Sequence, residues 1–212
     1  MTSVDTDLLL HAYRTGIFPM SEHRDDPDIF WVDPRRRGII PLDGFHISRS
    51  LAKRLRRDDY EVTLNQAFGG VIDACADRSE TWINPAIRSL YVDLNEAGHA
   101  HSLEVWRDDQ LIGGVYGVVV GRAFCGESMF SNATDGSKIA LAWLVDQLCR
   151  TGFVLFDTQF LTPHLASLGG VEITRAAYRR MLDEALMEDA DLLSEPLAQH
   201  GQDVVQRNTQ IS

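Results

Sequence analysis

The sequence predicts an α+β fold in which a small N-terminal lobe precedes a mixed, largely antiparallel sheet flanked by helices. Three observations predict it. Residues 101–130 hold three strand-like runs joined by two tight turns. A helical run, SKIALAWLVDQLCRTG, comes soon after, and FVLFDTQF is then apolar almost throughout, as a strand covered on both faces is. The chain's 212 residues, 44% of them hydrophobic, suffice for one sizeable core or for a domain with a minor lobe.

In chain order, residues 5–15 read as a short helix with Leu8, Leu9 and Ala12 on one stripe, stopped by GIFPM, and EHRDDPD reads as a polar loop. WVDPRRRGIIPLDGF, with two prolines and two glycines, reads as a connection holding a short strand at Gly38–Pro41. That places the lobe in residues 1–36, the main domain in 37–190, and an acidic and polar tail in 191–212. Ser48 is an N-cap for a helix reaching about Arg57; YEVTLN alternates like a strand; a helix follows at 66–77, and Asn84-Pro85 opens another that runs through Gly98. HSLEVWR, LIGGVYGVVV and AFCGESMF are the meander strands. The next helix sets Ile139, Leu141, Leu144, Val145 and Leu148 at core spacing and ends at Gly152. The final expected helix runs from Thr174 to about Met187.

The formal charge of −11 argues against a general nucleic-acid coat protein. Basic residues nevertheless crowd into 35–57: Arg35, Arg36, Arg37, Arg49, Lys53, Arg54, Arg56 and Arg57. That patch suits a polyanion touched at one place, or is a solvated helix face. The apolar runs are too short for a membrane span, and MTSVDTDLLL lacks the positive start of a signal peptide. Cys75, Cys125 and Cys149, odd in number and widely spaced, read as reduced thiols of a cytoplasmic protein. His99 and His101 share a strand face but have no third ligand nearby, so neither a metal nor a cofactor is expected.

Three meander strands, a helix and then a central strand ending in polar groups is the order of an N-acetyltransferase-like (GNAT-like) fold, an analogy that does not fix the chemistry. The Gly-rich loop that holds the pyrophosphate of an acyl-CoA has no counterpart, since that junction reads SNATDGSK. Glu127 ends the third meander strand, where a carboxylate is costly without a partner. Asp157 and Gln159, two apart on the next strand, point to one face. Neighbouring strands would bring all three to one cleft, suited to a cationic amine or its proton; a structural polar network is the competing reading. Ser128 and Ser131 have no histidine at a fixed offset, so neither reads as a nucleophile. Trp82 is a cap over the core or a stacking platform for a base. Phe124, Met129 and Phe130 fit the core better than a pocket.

YRTGIFPM, FHISRSL, VTLNQAF, TWI, AHSLEVW, GGVYG, FCGESMFS, SKIAL, DTQ and HLASLGGVEITR occur in the order and spacing of bacterial leucyl/phenylalanyl-tRNA–protein transferases, which the chain resembles from about residue 8 to 182. The resemblance implies transfer of Leu, also Phe and less well Met, from leucyl-tRNA(Leu) or phenylalanyl-tRNA(Phe) to the α-amine of proteins beginning with Arg or Lys. The product is an N-degron read by the proteolytic machinery. By position it implies that Asp157, Gln159 and Glu127 are catalytic and that Trp82 helps hold the 3′ adenosine. Phe124, Met129, Met20 and Ser131 would line the aminoacyl-adenosine site and its side-chain pocket, and Arg49, Lys53, Arg56 and Arg57 would meet tRNA. Asn132 and Asp135-Gly136 depart from the family's frequent residues, as do the short N-terminus and Met20, which stands where Trp is frequent. A monomer is expected, because tRNA needs an open cleft. Two other functions are an acyl-CoA-dependent N-acyltransferase of the same fold, disfavoured by the missing loop, and a non-catalytic RNA-binding module, which leaves the carboxylates without a purpose.

Overall fold

The computed structural model describes residues 5–211; residues 1–4, part of the stretch read as lacking a signal peptide, and Ser212 lie outside the described residues. Helix α1 (Thr6–Arg14) is capped by the Asp5 carboxylate, which accepts from the Leu8 amide at 2.9 Å. It buries Leu9, Ala12 and Tyr13, while Leu8 faces outward, so the inward stripe includes Tyr13 instead of Leu8. A two-stranded antiparallel ribbon follows, β1 (Phe18–Met20) against β2 (Phe30–Val32), which the sequence reading left without strands.

The main sheet has seven strands: β3 (Arg36–Ile40), β4 (Glu61–Leu64), β5 (Ala100–Arg107), β6 (Gln110–Val120), β7 (Ala123–Ser131), β8 (Leu155–Gln159) and β9 (Val171–Thr174). Their spatial order is β4-β5-β6-β7-β8-β3-β9, and every pairing is antiparallel except β7–β8. Helix α5 (Gly136–Arg150) covers one face with α2 (Arg49–Leu55) and α8 (Gly201–Ile211). The other face is covered by α1, α3 (Phe68–Ala76), α4 (Pro85–Glu96) and α7 (Arg175–Ala185). Ser48, Asn84 and Thr174 each cap the helix that follows.

Four further elements depart from expectation. The stretch 191–212, expected to be a tail, carries α8, whose Val204 and Val205 are buried and whose Arg207 forks onto Asp146 at 2.6 and 2.8 Å. Gly201 and Gln202 open that helix without a strong periodic signal, which is why the sequence did not reveal it. Strand β9 and the short helix α6 (Pro163–Ala166) were likewise not expected. Strand β3 starts at Arg36 rather than Gly38 and inserts between β8 and β9, a long-range pairing that no local pattern encodes.

Two irregularities open the site. The parallel pairing of β7 with β8 ends at Cys125 opposite Asp157, although β7 continues to Ser131, so the strands part there. Just beyond, the β6–β7 register jumps from Gly117↔Gly126 to Tyr116↔Ser128 and leaves Glu127 as the extra residue of a β-bulge. The bulge reverses the pleat: Cys125 belongs to the α4-side core, whereas Met129 packs against the α5-side core. A matching jump in β3–β8 leaves Thr158 unpaired between Asp157 and Gln159.

Candidate functional site

Where β7 and β8 part lies a cavity of about 210 Å³. Its apolar wall includes Val115, Met129, Leu141, Phe156 and Leu165; Met20, Trp82 and Phe160 stand at it too, and Glu127, Thr158 and Gln159 supply polar atoms. Thr158 Oγ1 is buried there without a hydrogen-bond partner among the described residues. A wider depression of about 530 Å³ lies at the β4–β5 edge among Asp58, Asp59, Glu61, Asp108 and Asp109. It is a predominantly polar, open hollow remote from the bulges, so the smaller apolar cavity is the stronger candidate.

Glu127 is held by three donors: Tyr13 Oη to Oε1 at 2.7 Å, Tyr91 Oη to Oε2 at 2.8 Å, and Gln159 Nε2 to Oε2 at 2.9 Å. Burial raises its pKa to about 7, and the three hydrogen bonds only partly offset that. Asp157 is held differently. Its side chain is fully enclosed, and Arg37 grips it at both oxygens, Nε to Oδ1 at 2.8 Å and Nη2 to Oδ2 at 2.6 Å. Tyr178 Oη donates to Oδ2 at 2.9 Å, and the Gln159 amide donates to Oδ1 at 2.8 Å. Burial alone would lower the Arg37 pKa, but the charge and hydrogen bonding of Asp157, with smaller contributions from Tyr178 and Cys125, together outweigh it and the net shift is upward.

That last amide matters for Gln159, whose φ of +62° is unusual for a residue with a side chain. Phe160 N donates to Thr158 O at 2.6 Å across it, a strained γ-turn that Asp157 props from within. Gly38 lies opposite, where a Cβ would come within 2.6 Å of the Phe160 carbonyl carbon. Thus Asp157 fixes the backbone of Gln159, and the Gln159 side chain reaches Glu127.

The structure brings Glu127, Gln159, Trp82, Met129 and Met20 to one cavity. Phe124 is a correction to the expected pocket lining. It is 1% exposed, points into the α5-side core and meets Phe156 edge-on at 5.6 Å, so it supports the cavity wall from behind. Ser131 lies in an adjoining groove of about 300 Å³ with Arg78, Asn132, Ser137 and His164. The basic patch is also thinner than the sequence suggests. Arg37 is buried at the site, Arg54 is buried and paired with Asp59, and Arg36 pairs with Glu172. Arg49, Lys53, Arg56 and Arg57 remain on the surface, Arg56 donating to Gln202 at 2.6 Å. Sequence reasoning missed Arg37, Tyr13 and Tyr91. The available signal was a tyrosine on the buried stripe of each helix, whose hydroxyl needs a partner.

The amides at the start of α5 are already engaged: Asn132 and Ala133 donate to Ile112 O, Gly136 to Ala133 O, and Ser137 to Ser131 Oγ. Those four amides are not free to hold a pyrophosphate, which weighs against the acyl-CoA reading. The element order and the cavity at the parting strands define a protein of the N-acetyltransferase-like class. The crystal structure of FemX shares that fold at a TM-score of 0.53 and 12% identity, covering 81% of this chain and 68% of that one. The chain belongs to the leucyl/phenylalanyl-tRNA–protein transferase family: the family's model matches residues 39–183, and the model of its N-terminal domain matches 2–35. A leucyl/phenylalanyl-tRNA–protein transferase of Ruegeria pomeroyi is 64% identical over 99% of this chain and 100% of its own length. One from Cereibacter sphaeroides is 64% identical over 97% and 96%.

Proposed function

We propose that this protein moves leucine, also phenylalanine and less well methionine, from aminoacyl-tRNA to the α-amine of proteins beginning with Arg or Lys. The products would be N-degrons, marked for proteolysis in the cytoplasm. The observation that carries this reading is the two-sided cavity, apolar on one side and bounded by Glu127 and Gln159 on the other. At about 210 Å³ it is below the roughly 300–1,000 Å³ of drug-sized sites, and suits one amino-acid side chain rather than a whole cofactor.

In this reading the donor side chain lies against Val115, Met129, Leu141 and Phe156, where each missing methylene costs about 1–3 kcal/mol of discrimination. Trp82 stacks on the 3′ adenosine, and Thr158 Oγ1 gains the partner it lacks. The adjoining groove, with Arg78 and His164, takes ribose and phosphate. Arg49, Lys53, Arg56 and Arg57 meet acceptor-stem phosphates. The connection into α2 is tied to the cavity side, since His46 N donates to Leu168 O at 2.9 Å just after α6. Aminolysis of an ester needs chiefly orientation and the handling of protons. Gln159 and Glu127 face the amine, and Asp157 acts as a positioning residue through Gln159. A monomer suffices, since one chain supplies every named group.

A non-hydrolysable aminoacyl-adenosine amide tests the donor side by calorimetry. The leucyl and phenylalanyl compounds should bind, and Trp82→Ala or Met129→Asp should weaken them at least about tenfold, some 1.4 kcal/mol. Equal binding of an aspartyl compound would contradict the apolar chamber.

A further inference from the structure

Four oxygens, two of them Glu127's own, make three close contacts around Glu127. Tyr13 Oη lies 2.7 Å from Oε1, Tyr91 Oη lies 2.8 Å from Oε2, and the two hydroxyls lie 2.5 Å apart. Three such contacts call for three protons, and two phenols supply two. With Glu127 ionised, one contact sets two lone-pair oxygens together with no proton between them. With Glu127 protonated, every contact holds one proton and the ring closes. Gln159 Nε2 serves Oε2 in either state.

We propose that Glu127 receives the proton that the acceptor's α-ammonium must lose, and that Tyr13 and Tyr91 are positioning residues whose ring is complete only once that proton has arrived. The proposal rests on the transferase reading above. It assigns proton uptake to Glu127 because both Asp157 oxygens are already committed, to Arg37, Tyr178 and the Gln159 amide. Glu127 Oε1 has one donor, Tyr13, and so keeps a second acceptor position.

The ammonium gives one proton to the Glu127 carboxylate and becomes a neutral amine. Its lone pair forms the C–N bond at the ester carbonyl, and the C–O bond to the ribose breaks. The second nitrogen proton goes to the ribose oxygen, and Glu127 later returns its own proton to solvent. Burial, offset in part by its three donors, places Glu127 at about 7. That lies near the ~7.7–8.0 of an α-amine, the close match that favours transfer. The groups facing it are Tyr13 from α1, Tyr91 from α4, Tyr116 from β6, Cys125 on its own strand, and Gln159 and Asp157 from β8. Both ring tyrosines are pushed up by burial first and the Glu127 charge second, so they stay neutral.

The test pairs two readouts on the full chain. Carbon-13 NMR of labelled glutamate carboxyls, with Glu127→Gln for assignment, should show wild-type Glu127 titrating near 7 without any substrate. The value of kcat/KM for transfer should rise with pH through that same midpoint, because only the ionised carboxylate accepts a proton. Glu127→Gln should lose this limb and on the order of a hundredfold in rate. Tyr13→Phe and Tyr91→Phe each remove a hydroxyl of the ring, so the NMR midpoint and the acid limb should move together and by the same amount. A purely structural role for the tyrosines would not move the limb. A Glu127 midpoint near the ordinary ~4.3, or a limb that stays put while the midpoint moves, would overturn the proposal. No transfer at all alongside an intact titration near 7 would overturn the reaction reading, and the proton-acceptor role with it.

Discussion

Arg37 is the residue whose part the sequence conceals most. It sits in a run of three arginines that looks like surface charge, yet it is 1% exposed. Its guanidinium lies 4.6 Å from the Phe18 ring centroid and 4.3 Å from that of Tyr178, and Nη1 donates to Gly16 O at 3.0 Å. One side chain therefore ties the N-terminal ribbon and α7 to Asp157. Removing one member of a fully buried pair strands the other charge, at about 3–5 kcal/mol. Arg37→Met should lower stability by that amount in urea denaturation, and Arg37→Met with Asp157→Leu should recover most of it. Recovery of stability without recovery of transfer would separate the fold's need for Asp157 from the site's. Glu127, Asp157 and Gln159 were legible because each interrupts an apolar run. Arg37 was not, because its partner lies 120 positions away and three adjacent arginines gave no sign of which one turned inward.

At the scale of elements, the meander, α5 and β8 were legible because turn chemistry and hydrophobic period are local. The bulge at Glu127 was not, since it is defined by a register against β6 that a single strand does not display. Without it, Cys125 and Met129 would share a face, and Met129 could not stand in the cavity wall while Cys125 packs beneath α1, α4 and α7. Helix α8 was missed for a different reason. Its inward face is only a few residues wide, carried by Val204 and Val205 in a polar, acidic context. Val204 is 1% exposed, so Val204→Asp should cost about 3 kcal/mol and lower Tm by roughly 6–12 °C in calorimetry. An unchanged Tm would show that α8 does not pack on α2 and α5.

For the molecule as a whole, the site is assembled across the chain. Tyr13 and Met20 come from the N-terminal lobe, Trp82 and Tyr91 from the middle, and Glu127 and Gln159 from the sheet. A net charge of −11 repels tRNA at long range, so under the proposed function a local cationic face would do the steering, and Arg49, Lys53, Arg56 and Arg57 are among the exposed members of the basic run. The family was legible in the motifs; the pairing of lobe to sheet through Tyr13 and Arg37 needed the fold. The most direct measurement incubates the protein with leucyl-tRNA and two peptides that differ only in their first residue, Arg or Ala, and weighs the products. The account predicts one added leucine on the Arg peptide, little on the Ala peptide, and a large loss of the product with Glu127→Gln. No leucine on the Arg peptide, or equal addition to both, would contradict it.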